Sequence, residues 1–422
     1  MSDVLWPGDH RAGEVFSDAS FVAAMVRVEQ AWLTAQGISA NIRFVGDVGA
    51  LAVEAETGGN PLIPLLAVLR AHGAPEQLHA GLTSQDVIDT AIALCLRDAT
   101  TRIRGDLGAA IATLAETADQ HRHTPMAART LTQHAVPITF GLAAATWLDG
   151  LLDARDRLLA TELPIQLGGA AGSLAAPVAL AGSVATAREW VTAAAYQLGL
   201  TVREPWHTTR TPVTAAGDAL VTCTDACGRI ANDVLTGGRP EIHELIESPA
   251  GGRGGSSAMP NKQNPVLAVL IKRAALTGPP LAATLHAAAA AAVDQRPDGS
   301  WHVEWATLRT LARRTVVAVS QTAELLAGLR ADTGAMAATL AAARPGIDAE
   351  QHRYAAEGPY RGAIDEIIDA ALARAATEPP DKHRAATEAP DKHRAATAAP
   401  DKHRDATNAG DEYRVATEAG DQ

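Results

Sequence analysis

Apolar positions recur along most of the chain at three- and four-residue spacing, the period of an amphipathic helix. Phe21, Met25, Val28 and Trp32 lie on one such stripe, so residues 16–37 read as a helix that ends at Gly37. A second apolar run, 64–69, stops near Gly73. Thr83 or Ser84 is placed to cap a further helix, with Asp86 in its positive first turn. Helical spacing returns over 103–120 and 142–163, and helices follow to Gly238. It returns again over 272–293, with 266–271 as the first turns, and over 301–329. Residues 337–372 form a last, smaller helical segment. The pattern predicts an all-α chain. Its parts are an N-terminal domain (1–102), a central long-helix domain (103–335), a small C-terminal domain (336–372) and a tail (373–422).

Composition sharpens this picture. The chain has 422 residues, 47% hydrophobic and 20% charged, ample for a large core. Alanine is abundant and aromatics are only 4%, which suits closely packed helices. A net charge of −12 without a basic block offers no footprint for nucleic acid. The N-terminus lacks the apolar core of a signal peptide. Residues 281–293 are apolar but mostly alanine, broken by His286 and too short to span a bilayer. A soluble, cytoplasmic protein with no membrane partner is expected. Cys95, Cys223 and Cys227 cannot all pair with one another. Cys223 and Cys227 share a helix face, where small core residues are favoured over a metal or redox site.

The tail is a decapeptide repeat, with Asp381-Lys-His-Arg recurring at 391 and 401 and as Asp411-Glu-Tyr-Arg. Proline in most units and alternating charge predict a solvated, disordered segment. His383, His393 and His403 have nothing to fix them as metal ligands.

The densest chemistry lies at 251–265, GGRGGSSAMPNKQNP. Four glycines in five residues let the backbone bend around something small. Ser256, Ser257, Lys262 and Asn264 follow, and Pro265 opens a helix whose N-terminus suits an anion. Before the tail the chain uses only two lysines, Lys262 and Lys272, so a compact ammonium in this loop is a choice. Phosphate-loop order is absent. The glycine loop 166–173 lacks a strand-then-helix context and reads as close packing between helix ends.

The loop resembles the signature GSSxMPxKxNP of the fumarase/aspartase superfamily. Two further stretches extend the resemblance over residues 15–370: LTSQDVIDT from Leu82, and RTLTQHAVPITFG from Arg129. They are similar to the carboxymuconate cycloisomerase and adenylosuccinate lyase branches. The resemblance implies a homotetramer with a twenty-helix central bundle, each site drawing its three regions from three subunits. It also implies roles. Ser256 would be the base that removes a proton beside a carboxylate. Lys262 and Asn264 would bind substrate and stabilise the carbanion, and His134 would be a general acid. Thr83, Ser84, Gln85, Arg129, Thr130, Gln133 and Arg210, in PWHTTR, would hold substrate carboxylates. Neither metal nor cofactor is implied.

The chain departs from that branch where MPHKRNP becomes MPNKQNP and an Asp-Arg pair after Arg210 becomes Thr211-Pro212. Asn261, Gln263 and Pro212 thus stand where cations are usual. The loss favours a small two-carboxylate substrate. The expected reaction is β-elimination from a substituted succinate to fumarate, with nitrosuccinate and release of nitrite preferred. A lactonising cycloisomerase is the alternative enzyme, and a non-catalytic, crystallin-like protein the alternative of another class.

Overall fold

The computed structural model describes residues 3–354 and 360–377; most of the repeat tail, with His383, His393 and His403, lies outside the described residues. α1 (Asp18–Ala35) starts where the apolar stripe predicts, and the Ser17 hydroxyl accepts the Ser20 N–H. α2 (Val48–Gly58) and α3 (Leu62–Ala71) follow. α4 (Ser84–Gln120) then runs 37 residues without a break. It joins two segments that the sequence shows as separate stripes, because Arg97 to Arg102 contains no helix breaker.

A hairpin of β1 (Pro125–Thr130) and β2 (Gln133–Thr139) leads into α5 (Phe140–Ala160). α6 (Ala175–Ala181), α7 (Val184–Leu198) and α8 (Thr211–Gly237) come next. β3 (Leu245–Glu247) precedes the glycine loop, which opens α9 (Val266–Ala290). α10 (Gly299–Gly328) runs into β4 (Leu329–Ala331), which pairs antiparallel with β3. α11 (Thr333–Arg353) and α12 (Ile364–Ala375) complete the described chain.

The chain is mainly helical, as expected, but not all-α: it adds two small two-stranded antiparallel sheets, the β1–β2 hairpin and the β3–β4 pair. Their sequences do not alternate in polarity, so no strand pattern announces them. β1 gains its support from α11, where Ala127 packs against Leu340 and Ile347. The helices α4 and α11 run straight through 102/103 and 335/336.

α4, α5, α8, α9 and α10 pack side by side around one continuous apolar core. Small residues set the closest approach. A Cβ on Gly228 of α8 would lie 2.4 Å from the Ala275 Cβ of α9, and one on Gly278 would lie 2.7 Å from the Thr224 hydroxyl. Cys223 and Cys227 belong to this same face, fully buried. Burial pushes the Cys95 thiol up to about 12 and Cys227 to about 11, so these are core side chains.

α9 is 25 residues long and, by length and composition alone, apolar enough to cross a membrane. It exceeds the segment 281–293 that the sequence suggests. In the fold its inner face packs on α8 and α10, while Val269, Leu276, Pro279, Pro280, Ala283 and Ala287 are exposed.

Candidate active site

Three regions carry the predicted site residues. The first is the start of α4, and its organiser is Asp86. This buried carboxylate accepts five hydrogen bonds: from the Thr83, Gly168 and Gly169 backbone N–H groups, from Gln166 Nε2 and from the His207 ring. One side chain thereby ties together the α4 turn, the 166–173 glycine loop and the 204–210 segment. The glycines of that loop allow close packing: a Cβ on Gly168 would meet the His207 ring at 2.7 Å, and one on Gly169 would lie 3.3 Å from the Gly81 carbonyl oxygen before α4. Gln85 is fully buried, and its amide donates to Asp89 and to the His207 carbonyl. Thr83 is buried too, whereas Ser84 is partly exposed.

Arg210 completes this end of the bundle. Its guanidinium lies between Asp89 (2.7 and 3.0 Å) and Glu304 (2.5 to 3.2 Å), and Trp301 Nε1 donates to Asp89 at 2.9 Å. The side chain is 1% exposed. Burial works against its charge, but the two carboxylates more than offset this and raise the Arg210 pKa above the usual value. Burial also raises Glu304, although Arg210 opposes it. The expectation that Arg210 and Gln85 hold substrate carboxylates is corrected: their donors are already spent on protein acceptors.

The second region is the tip of the β1–β2 hairpin. Thr130 pairs with Gln133 across a two-residue turn, Leu131 and Thr132, both at positive φ (48° and 71°). That is the geometry of a type I′ turn, which usually takes Asn-Gly. Thr130, Gln133 and His134 are exposed, and Leu131 stands 95% exposed at the apex. Arg129 is held within the chain. It makes a two-pronged pair with buried Glu244 at 2.7 and 2.8 Å, fastening the hairpin to the segment before β3. Two of its five N–H donors are engaged in this way, so unlike Arg210 it keeps donors toward the surface.

The third region is the glycine loop. Its neck is closed by Asn264, whose backbone N–H and carboxamide both donate to the Gly254 carbonyl, at 2.8 and 3.0 Å. Gly254 has φ 92°, and a Cβ there would lie 2.6 Å from the Asn264 carbonyl oxygen, so only glycine fits. Beyond the neck, the Ser256 hydroxyl oxygen accepts the N–H groups of Ala258 (3.3 Å) and Met259 (3.1 Å). Two backbone donors on one hydroxyl oxygen favour negative charge there. Lys262 is exposed on the same loop. The N-terminus of α9 does not contribute to an anion as the sequence suggests. Its Leu267 and Ala268 N–H groups donate to the Glu247 carboxylate at 2.9 and 3.0 Å, which satisfies them within the chain.

The first region does not meet the other two within one chain. The 37-residue α4 separates the first from the second by about 55 Å, whereas the six-residue strand of the hairpin spans only about 20 Å. α8 and α10 likewise run from the Arg210 end to the loop end. Two clefts of about 800 and 470 Å³ lie elsewhere, one between α4 and α12 and one beside α3, and neither is lined by a predicted site residue.

Residues 50–277, more than half of the chain, match the family model described as lyase. This chain is a fumarase/aspartase-superfamily lyase. The lyase is 43% identical to a nitrosuccinate lyase of Streptomyces davaonensis, over 77% of this chain and 73% of the relative. It is 40% identical to a 3-carboxy-cis,cis-muconate cycloisomerase of Bradyrhizobium diazoefficiens, over 79% and 74%. Among solved structures, it superposes on the 3-carboxy-cis,cis-muconate lactonizing enzyme of Pseudomonas putida with a TM-score of 0.74 at 33% identity, covering 91% of this chain and 89% of that one. A fumarate lyase of Mesorhizobium sp. BNC1 gives 0.73 at 29% identity, covering 87% and 86%.

Reading the lyase from sequence leaves out its acidic partners. Asp86 is visible only as a helix-start residue, and Asp89, Glu244, Glu247 and Glu304 carry no signal at all. Each acts on a group far away in the chain, from 20 residues for Glu247 to 212 for Asp89 with Trp301.

Proposed function

We propose that this lyase performs an anti β-elimination on a two-carboxylate succinate, with nitrosuccinate as substrate and fumarate and nitrite as products. Ser256 Oγ takes a proton from the methylene carbon. The electron pair is held first by the adjacent carboxylate, as an aci-carboxylate facing Lys262. It then forms the C=C bond while the C–N bond breaks and nitrite leaves with its own electron pair. Stabilising charge where it develops is usually the largest catalytic contribution. Nitrite is weakly basic, so His134 is assigned to orient substrate, alongside Ser84, Thr130 and Gln133.

One observation carries the choice of substrate. The cations of the three regions are neutralised within the chain: Arg210 by Asp89 and Glu304, Arg129 by Glu244, and Arg253 by Glu324. Lys262 has no ion pair among the described residues, and Asn261, Gln263 and Pro212 supply no charge. A tricarboxylate would meet too little positive charge, since a missing close pair costs several kcal/mol. Likeness to a nitrosuccinate lyase points the same way. Likeness to the cycloisomerases supports the second reading, lactone chemistry by the same addition–elimination.

We further propose a homotetramer in which each site takes one region from each of three copies. The length of α4 and the exposed apolar face of α9 support it.

Steady-state assays of nitrosuccinate, aspartate and carboxymuconate, with nitrite measured directly, test the substrate. Nitrosuccinate is expected to have the highest kcat/KM, and Ser256→Ala to lower its kcat by roughly 10²–10⁴-fold or more. If carboxymuconate is the best substrate and nitrite never appears, the cycloisomerase reading replaces this one.

A further inference from the structure

The glycine loop carries one side chain between Gly251 and Gly255, that of Arg253. Gly251, Gly252 and Gly254 around it all have positive φ (65°, 76° and 92°), a backbone that glycine adopts without strain. Arg253 does not point its charge at the loop's own hydroxyls. Its guanidinium donates to Glu324 Oε1 of α10 at 2.6 Å. The other oxygen of Glu324 accepts from Arg11, in the 3-10 turn Asp9–Ala12, and Arg11 also donates to the Ser320 hydroxyl at 3.2 Å. One carboxylate on a rigid helix therefore holds the loop on one side and the N-terminal turn on the other.

Other contacts secure the neck itself. Asn264 binds Gly254, and Glu247 caps α9 beyond it. Arg253 is the link that ties the ascending arm of the loop to the bundle, three residues before Ser256. Because Gly254 and Gly255 are joined to Asn264 and Gln263, releasing Arg253 would let this neck shift as a unit, carrying the Ser256 hydroxyl with it without breaking any helix.

We propose that Glu324 is a positioning residue for the base-bearing loop, acting through Arg253. It rests on the reading of Ser256 as the base. In catalysis its effect is on placement: a displacement of about 1 Å at a reacting atom can lower the rate by roughly 10²-fold. In stability its effect is small, because the pair is partly exposed and such pairs contribute little. The pair also keeps the loop's arginine away from substrate, so that Lys262 is the cation the loop presents.

The test combines kinetics with amide hydrogen exchange on the full chain. Glu324→Ala, Glu324→Gln and Arg253→Ala should each lower kcat by roughly 10- to 100-fold with KM changed much less. The double Arg253→Ala, Glu324→Ala variant should be no worse than the worse single, since both remove one link. Exchanging the charges, Arg253→Glu with Glu324→Arg, should recover part of the loss. Exchange at residues 250–264 should quicken in Glu324→Ala while α8 and α10 keep wild-type protection. Wild-type kcat and loop exchange in Glu324→Ala, or single effects that multiply in the double variant, would overturn the proposal. If wild type does not turn over nitrosuccinate, the functional reading fails, and loop exchange still decides the link.

Discussion

Buried charge at Arg210 and half-buried charge at Glu324 behave differently. Arg210, 1% exposed, sits among Asp89, Glu304 and the indole of Trp206. Removing it leaves two carboxylates buried and facing each other. Arg210→Ala should therefore cost about 3–5 kcal/mol of unfolding free energy. Chemical denaturation measures this; a loss below about 1 kcal/mol, with KM raised instead, would restore a substrate-binding role. At Glu324 burial opposes the charge, but hydrogen bonds from Arg11 and Arg253 outweigh it and hold the carboxyl below its ordinary value. A depressed carboxyl pKa contributes stability above the unfolded value, and that contribution is lost as pH falls through the folded value. The groups facing it are Arg11 and Arg253, both charged throughout this range. The melting temperature of wild type should thus exceed that of Glu324→Gln by a small, constant amount from about pH 6 to 8, and the gap should shrink as pH falls below the ordinary glutamate value. A gap unchanged from neutral pH into strong acid would contradict this.

At the scale of elements, the hairpin tip is the least comfortable local structure. A type I′ turn asks for left-handed backbone at both central positions, and Leu131 and Thr132 occupy them with β-carbons that resist it. A side chain as apolar as Leu131, fully in solvent at a strained position, is a poor choice for stability alone. Replacing Leu131-Thr132 by Asn-Gly should raise the unfolding free energy by about 1 kcal/mol. In the shared-site reading Leu131 reaches another copy, so the same change should lower kcat/KM. Stability and activity measured on one preparation separate these effects; unchanged activity would leave the apex without a functional contact.

At the scale of the molecule, a lyase chain holds its first region a helix length from the hairpin and the glycine loop, and the shared-site proposal follows from that separation. Mixing a variant inactivated at His134 with one inactivated at Ser256, under conditions of subunit exchange, should regain part of the wild-type activity. Some sites in the mixture would draw both intact regions. No regain despite demonstrated exchange would count against sites built from several copies. The exposed stripe on α9, Val269, Leu276, Pro279, Pro280, Ala283 and Ala287, is the face expected to lose hydrogen exchange on assembly.

The periodicity of Phe21 to Trp32, the long stripes of α5, α8 and α10 and the signature around Ser256 all rest on neighbours within a few turns, so sequence alone determined them. Local capping at Ser17 and the glycine requirement at the loop belong with them. Where each charged group spends its hydrogen bonds was decided only by tertiary structure. Arg210 and Arg129 carry the same motif match whether they face substrate or Asp89, Glu304 and Glu244. The α9 N-terminus has the same sequence whether it awaits an anion or is filled by Glu247. The β1–β2 hairpin has no alternating pattern and depends on α11 packing across it. A charge's partner is whichever opposite charge the fold brings within about 3 Å, and no spacing along the chain records that distance.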